Sequence, residues 1–104
     1  MNYAQGSKMR LTAHYEGIGP VFKIKMQLQN LDAETVTNSF VQLSFNENIY
    51  KRRDRNPMLP VMLPMMTYKV DCLVECIDAT GANDIIKVIV LGKESSLPLI
   101  SANL

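Results

Sequence analysis

The stretch Asp84-Ile85-Ile86-Lys87-Val88-Ile89-Val90-Leu91 decides the fold class. Apolar residues occupy both of its parities and most are β-branched, which is how a strand covered on both faces reads. The stretch is short, and Gly81 and Gly92 punctuate its flanks, so a buried helix is disfavoured.

Outward from it, the same grammar repeats. Downstream, Gly92 to Ser96 is a turn and Leu97 to Leu104 a last strand carrying Pro98. Upstream, Asp78 to Asn83 turns the chain, and Thr67 to Ile77 is a long strand. Its Tyr68, Val70, Cys72, Val74 and Cys76 share one face, against Lys69, Asp71 and Glu75, with Leu73 and Ile77 adding apolar surface there. Met58 to Met66 contains Pro60 and Pro64 and reads as extended chain suited to an edge or to a strand switching between sheets. Lys51 to Pro57 is a charged loop, with Ile49-Tyr50 starting a short strand just before it, after the Asn46-Glu47-Asn48 turn.

Val36 to Phe45 places Val41, Leu43 and Phe45 opposite Asn38, Gln42 and Ser44, with Phe40 breaking the pattern. Leu31 to Thr35 is a polar connection. Val21 to Asn30 alternates most cleanly, with Phe22, Ile24, Met26 and Leu28 inward and Lys23, Lys25, Gln27 and Gln29 outward. The Glu16 to Pro20 turn joins it to Met9 to Tyr15, where Met9, Leu11, Ala13 and Tyr15 alternate with Arg10, Thr12 and His14. Met1 to Lys8, containing Gly6-Ser7, lacks periodicity and is read as a flexible N-terminal segment, in part a cloning remnant, outside a domain of residues 9–104. Seven or eight strands with regular turn signals and no helix give an all-β, antiparallel two-sheet sandwich.

Composition bounds the function. The 104 residues make one domain, 47% of them hydrophobic, which suffices for a core without metals or disulfides. A net charge of +1 implies no general attraction to nucleic acid or membrane. No apolar run approaches the roughly 20 residues of a membrane span. No signal peptide and no N-glycosylation acceptor is read. Cys72 and Cys76, four apart on a strand, would lie roughly 13 Å apart, beyond disulfide reach, and reduced thiols fit the cytosol.

Catalytic chemistry finds no footing. His14 is the single histidine and sits on a polar face without neighbouring ligands, so it reads as a solvent-facing or capping residue. The cysteines sit on an apolar face and read as inert. Gly17-Ile18-Gly19 leads into a strand, not a helix, so it is no phosphate loop. No enzyme activity and no cofactor are expected. Two groups remain as candidates for partner binding. Lys51, Arg52, Arg53 and Arg55 form a basic run with one acid, either a solvated loop or a docking patch for an acidic partner or acidic lipid. Met65 and Met66 beside Pro64 are either core filler or an adaptable apolar surface.

Three stretches in this order carry a family resemblance. They are Gly17-Ile18-Gly19-Pro20-Val21-Phe22-Lys23-Ile24 followed by Leu28-Gln29-Asn30, then Phe45-Asn46-Glu47-Asn48-Ile49-Tyr50, and above all residues 84–91 running on to Pro98-Leu99-Ile100-Ser101-Ala102. Together, over residues 9–104, they resemble the gamma-adaptin-ear-like (GAE) C-terminal domains of the first Bardet–Biedl syndrome protein family, subunits of the BBSome. The resemblance implies an immunoglobulin-like β-sandwich. It also implies a non-catalytic interaction domain that helps assemble a coat-like adaptor for ciliary membrane-protein trafficking. Its partners would be other BBSome subunits, in the cytoplasm, at the cilium and at the ciliary base, with membrane contact only through the assembled complex. The family's GTPase-binding propeller has no counterpart in these 104 residues, so GTPase binding is not expected of them. The alternative is a peptide-binding appendage that recruits trafficking accessory proteins through short aromatic motifs, as adaptin ears do with a basic and apolar patch. The basic run 51–55 is more charged than the family pattern, and ear ligand positions have no residue-by-residue match here. An open sheet edge would also allow a homodimer.

Overall fold

The computed structural model of the chain describes residues 2–6, 8–54, 59–81, 83–92 and 98–104. Eight strands follow one another: β1 (Asn2–Gln5), β2 (Met9–Glu16), β3 (Val21–Asn30), β4 (Ser39–Ser44), β5 (Tyr50–Arg52), β6 (Thr67–Cys76), β7 (Lys87–Gly92) and β8 (Pro98–Asn103). They form two antiparallel sheets. The larger runs β1-β2-β3-β6-β5 and the smaller β4-β7-β8, an all-β sandwich as the alternation predicted.

Register explains the core. In the larger sheet Leu11 faces Leu28, which faces Tyr68; Ala13 faces Met26, which faces Val70; Tyr15 faces Ile24, which faces Cys72. In the second and third rows a small residue, Ala13 or Cys72, sits beside a longer one, Met26 or Ile24, so the layer fills evenly. From the smaller sheet Val41, Ile86, Val88, Val90 and Ile100 meet this face, all of them buried. Fully burying each such side chain is worth about 1.5–3 kcal/mol. At the β2–β3 turn Gly17 has φ +136°, and a Cβ there would lie 3.2 Å from the Phe22 Cα. That turn therefore requires glycine.

The structure corrects the strand bounds in four places. The stretch 84–91 was expected to be covered on both faces. Ile86, Val88 and Val90 are fully buried, but Ile89 and Leu91 are only half-buried and Ile85 is 58% exposed. A two-layer sandwich gives each sheet a single inner face, so the central strand of the smaller sheet keeps an apolar outer side. The strand expected over 36–45 spans only Ser39–Ser44. Asn38, at φ 54°, breaks it, and Val36 instead forms an isolated bridge with Met62. Asparagine tolerates that left-handed conformation better than most residues. Lys51 and Arg52, read as loop, belong to β5 and pair with Glu75 and Val74. Finally, part of the segment set outside the fold is a strand, because Asn2–Gln5 pairs with β2 from Ala13 to Arg10. An edge strand held through main-chain hydrogen bonds needs no side-chain periodicity.

The proline-marked connection does link both sheets. Leu59 N donates to Ser39 O of β4 at 2.9 Å, and Met65 N donates to Asn30 O of β3 at 2.7 Å. Leu59 and Met62 drop into the core between these anchor points.

Candidate interaction surfaces

The two predicted groups sit near opposite ends of β6. Met65 and Met66 precede Thr67, whereas β5 pairs with residues 74–76. Eight residues of strand separate Thr67 from Glu75, roughly 26 Å. They do not form one site.

The basic run is largely folded back onto the sheet. The Arg52 side chain is 14% exposed, and its Nε lies 2.7 Å from Asp54 Oδ1. Its NH2 group reaches Cys72 Sγ at 3.3 Å. Asp54 in turn accepts a hydrogen bond from Leu73 N at 2.9 Å. Arg53 pairs with Glu75 at 3.4 Å, and its backbone N donates to Leu73 O at 2.9 Å. Lys51 is exposed. Arg55 lies outside the described residues. Among the described residues, two of the three cations thus hold β5 to β6. The Cys72 thiol beneath them is buried, which pushes its pKa up to about 11 against a smaller opposing pull from Arg52. It is protonated and unreactive at neutral pH. Neither cysteine is in a disulfide, as their spacing predicted. His14 lies 3.7 Å from Glu16 on the surface, and Lys25 bonds the same carboxylate at 3.2 Å, which lowers the Glu16 pKa.

The methionine end is built differently. Val61, Leu63, Met65 and Met66 are 56%, 51%, 61% and 53% exposed, four apolar side chains within six residues. Their backbone is not loose. Met62 exchanges two hydrogen bonds with Val36, at 2.8 and 3.0 Å. Leu63 N donates to the Tyr68 hydroxyl at 2.9 Å. Met65 O accepts from Gln29 Nε2 at 3.0 Å, and Asn30 N donates to Met66 O at 3.2 Å. The hub is Asn30, fully buried, whose Nδ2 donates to Met62 O and to Glu34 O, both at 2.9 Å, while its Oδ1 accepts from Asp32 N at 2.9 Å. Met65 is held at φ 65°, a left-handed conformation uncommon for a long side chain. Such a residue persists where its surroundings over-determine it, as the hydrogen bonds on both sides do here. The result is a ridge of apolar side chains on a fixed backbone. Sequence reasoning named Met65 and Met66 as candidates; the structure exposes them together with Val61 and Leu63, which that reasoning did not name. No period-2 signal could have found them, because buried Leu59 has the same parity as exposed Val61 and Leu63.

At the other end, a cleft of about 730 Å³ opens beside the β2–β3 turn and the β6–β7 connection. Tyr15, Phe22 and Tyr50 form part of its wall. Their rings meet edge to face, at 5.3 Å for Tyr15–Phe22 and 6.1 Å for Phe22–Tyr50. The Tyr50 hydroxyl lies 3.2 Å from both the N and the O of Asp84, so it pins the start of the strand pair while the ring faces the cleft. Burial and the nearby Tyr50 raise the Tyr15 pKa, keeping that phenol neutral. Tyr15 and Phe22 flank one hairpin turn, whereas Tyr50 is distant in sequence and only the strand register brings it to them.

With this geometry in hand, the chain can be compared with known proteins. A family model described as the Bardet-Biedl syndrome 1 protein, GAE domain, matches residues 9–104. The chain is 33% identical over 97 residues to the BBSome complex member BBS1 of Mus musculus, covering 92% of this chain and 16% of that relative. It is 34% identical over 96 residues to the BBSome complex member BBS1 of Homo sapiens, covering 91% of this chain and 16% of that relative. The chain therefore spans about one sixth of the length of the curated relatives it matches.

Proposed function

The chain belongs to the GAE-domain family of the Bardet-Biedl syndrome 1 protein, and from that premise we propose that it is a non-catalytic interaction domain contributing to assembly of a BBSome-type complex. In this reading its partner is another subunit of that complex, and the setting is the coat-like adaptor that serves ciliary membrane-protein trafficking. The observation that carries it is the ridge of Val61, Leu63, Met65 and Met66, exposed yet fixed by the Asn30 network. A fixed backbone has little entropy left to lose on docking, and methionine adapts to a partner's contour. Contiguous exposed apolar surface on a pinned backbone is a recurrent mark of an interface.

The test is co-purification of the chain with co-expressed BBSome subunits, comparing wild type with Met65→Gly, Met66→Ser and Leu63→Ser. Met65→Gly is the informative variant. It relieves a left-handed backbone that costs an L-residue about 1–2 kcal/mol, against roughly 0.5–1 kcal/mol of added glycine entropy. Folding stability should stay within about 1 kcal/mol, while subunit recovery should fall about tenfold or more if Met65 anchors the contact. Undiminished recovery by all three variants would move the interface elsewhere on the domain.

A further inference from the structure

Independently of the assembly reading, the aromatic cleft at the opposite end has a chemistry of its own. We propose that it is a second binding site, which takes an arginine side chain, flanked by aliphatic residues, from an extended segment of a partner protein.

Three observations converge on that ligand. First, the volume of about 730 Å³ falls in the range of small-ligand pockets and accommodates one long side chain with a neighbour. Second, the charged side chains that line it among the described residues are both acids, Asp78 and Asp84. An anionic rim at a net charge of +1 is a local feature and not a consequence of overall composition. Third, the wall is aromatic, with Tyr15, Phe22 and Tyr50 presenting ring surface. Rings attract cations through their faces, and guanidinium does so better than ammonium because it is planar and weakly hydrated. Guanidinium also matches carboxylate geometry. Pro20, Ala79 and Leu104 also line the cleft, which supplies apolar contact for aliphatic flanking residues.

The carboxylates are held in place. Asp84 Oδ1 accepts from Ile85 N at 2.8 Å, and Asp78 Oδ2 accepts from Thr80 N at 3.1 Å and from the Thr80 hydroxyl. Asparagine preserves those acceptor oxygens while removing the charge, which makes the amide variants clean probes.

The experiment is a titration of the isotope-labelled chain with acetyl-Leu-Arg-Leu-amide, followed by amide chemical shifts. The control peptide carries citrulline, which has the shape of arginine without its charge. Saturable shifts at Tyr15, Phe22, Tyr50, Gly81 and Asp84 are expected, with about tenfold weaker binding of the citrulline peptide. Asp78→Asn with Asp84→Asn should lower affinity for the arginine peptide about tenfold and leave the citrulline peptide unchanged. Tyr15→Leu, at a half-exposed position, should weaken both. Equal binding of the two peptides, shifts confined to the 61–66 ridge, or no saturable shift at millimolar peptide would each overturn the proposal. Because the ridge is at the far end of β6, loss of subunit assembly and loss of peptide binding are separable outcomes.

Discussion

The two ends of the sandwich hang on the same strand, β6, yet they are finished in opposite ways. At its start, Asn30 satisfies the backbone of the crossing segment from inside, so the apolar side chains of that segment are turned out. At its end, aromatic rings stack inward against Tyr50, and the backbone around them leaves a cleft with an acidic rim. One end offers a convex apolar ridge, the other a concave charged pocket. A buried polar hub organises the first and a buried aromatic organises the second. The lesson is that surface character here follows from what the core does with its polar groups, and each hub can be broken separately.

Tyr50→Ala gives the largest expected effect. Tyr50 is 5% exposed and contacts Phe22 and Phe45. Truncating a buried aromatic costs about 3–5 kcal/mol, which denaturant unfolding would read directly. Tyr50→Phe keeps the ring and loses only the hydroxyl contacts to Asp84, about 1 kcal/mol. If the two variants were equally destabilised, the hydroxyl rather than the ring would organise this end.

Asn30→Ala comes next. It removes three hydrogen bonds and leaves the Met62 carbonyl with Val36 N as its remaining partner among the described residues, for about 2–3 kcal/mol at about 1 kcal/mol per bond. Hydrogen exchange should speed at Met62 and Met65, while ring resonances of Tyr15 and Phe22 stay put. Coupled changes at both ends would show that the hubs are not independent.

Much of this was legible beforehand, and the rest was hidden for definable reasons. The alternation in β2, β3 and β6 was readable because one face of each is buried and the other solvated. The outer side of β7 misled because β-branched residues suit a strand whether or not both faces are covered, as Ile85 and Ile89 show. The basic run read as a solvated loop or a single patch, but its members have different roles that depend on β6: Arg52 reaches the Cys72 sulfur and Arg53 reaches Glu75 only after strand pairing. The Asn30 hub left no mark because nothing in the sequence says that a strand-terminal asparagine is buried. The cleft was invisible because Tyr50 and the β6–β7 connection reach the β2–β3 turn only through strand register.

That division of the basic run is itself testable, at a smaller magnitude. Arg52→Ala should cost about 1–2 kcal/mol, because it unpairs the partly buried Asp54 and uncovers packing under a long side chain. Lys51→Ala, one residue away and exposed, should stay within about 0.5 kcal/mol of wild type. Equal costs would mean that the run acts as a diffuse charge.

The smallest effect is on reactivity, and it probes the boundary between core and cleft. Cys76 lines the cleft, whereas Cys72, two positions inward on the same strand face beyond Val74, is buried with its pKa raised to about 11. Iodoacetamide at pH 8, read by peptide mass, should therefore label Cys76 and spare Cys72. The pH dependence has a definite sign. Below about pH 8.5, the ordinary thiol range, both folded and unfolded Cys72 are protonated, and its contribution to stability is complete. As pH rises toward about 11, the unfolded chain loses the proton that the folded chain retains, so stability declines across that window. Labelling of Cys72 should climb only there, through opening of the sandwich. An arginine peptide seated in the cleft should slow labelling at Cys76 and leave Cys72 untouched. Early labelling of Cys72 at pH 8 would instead mean that the cleft reaches past the rings into the core, and that the aromatic end is held less firmly than the asparagine end.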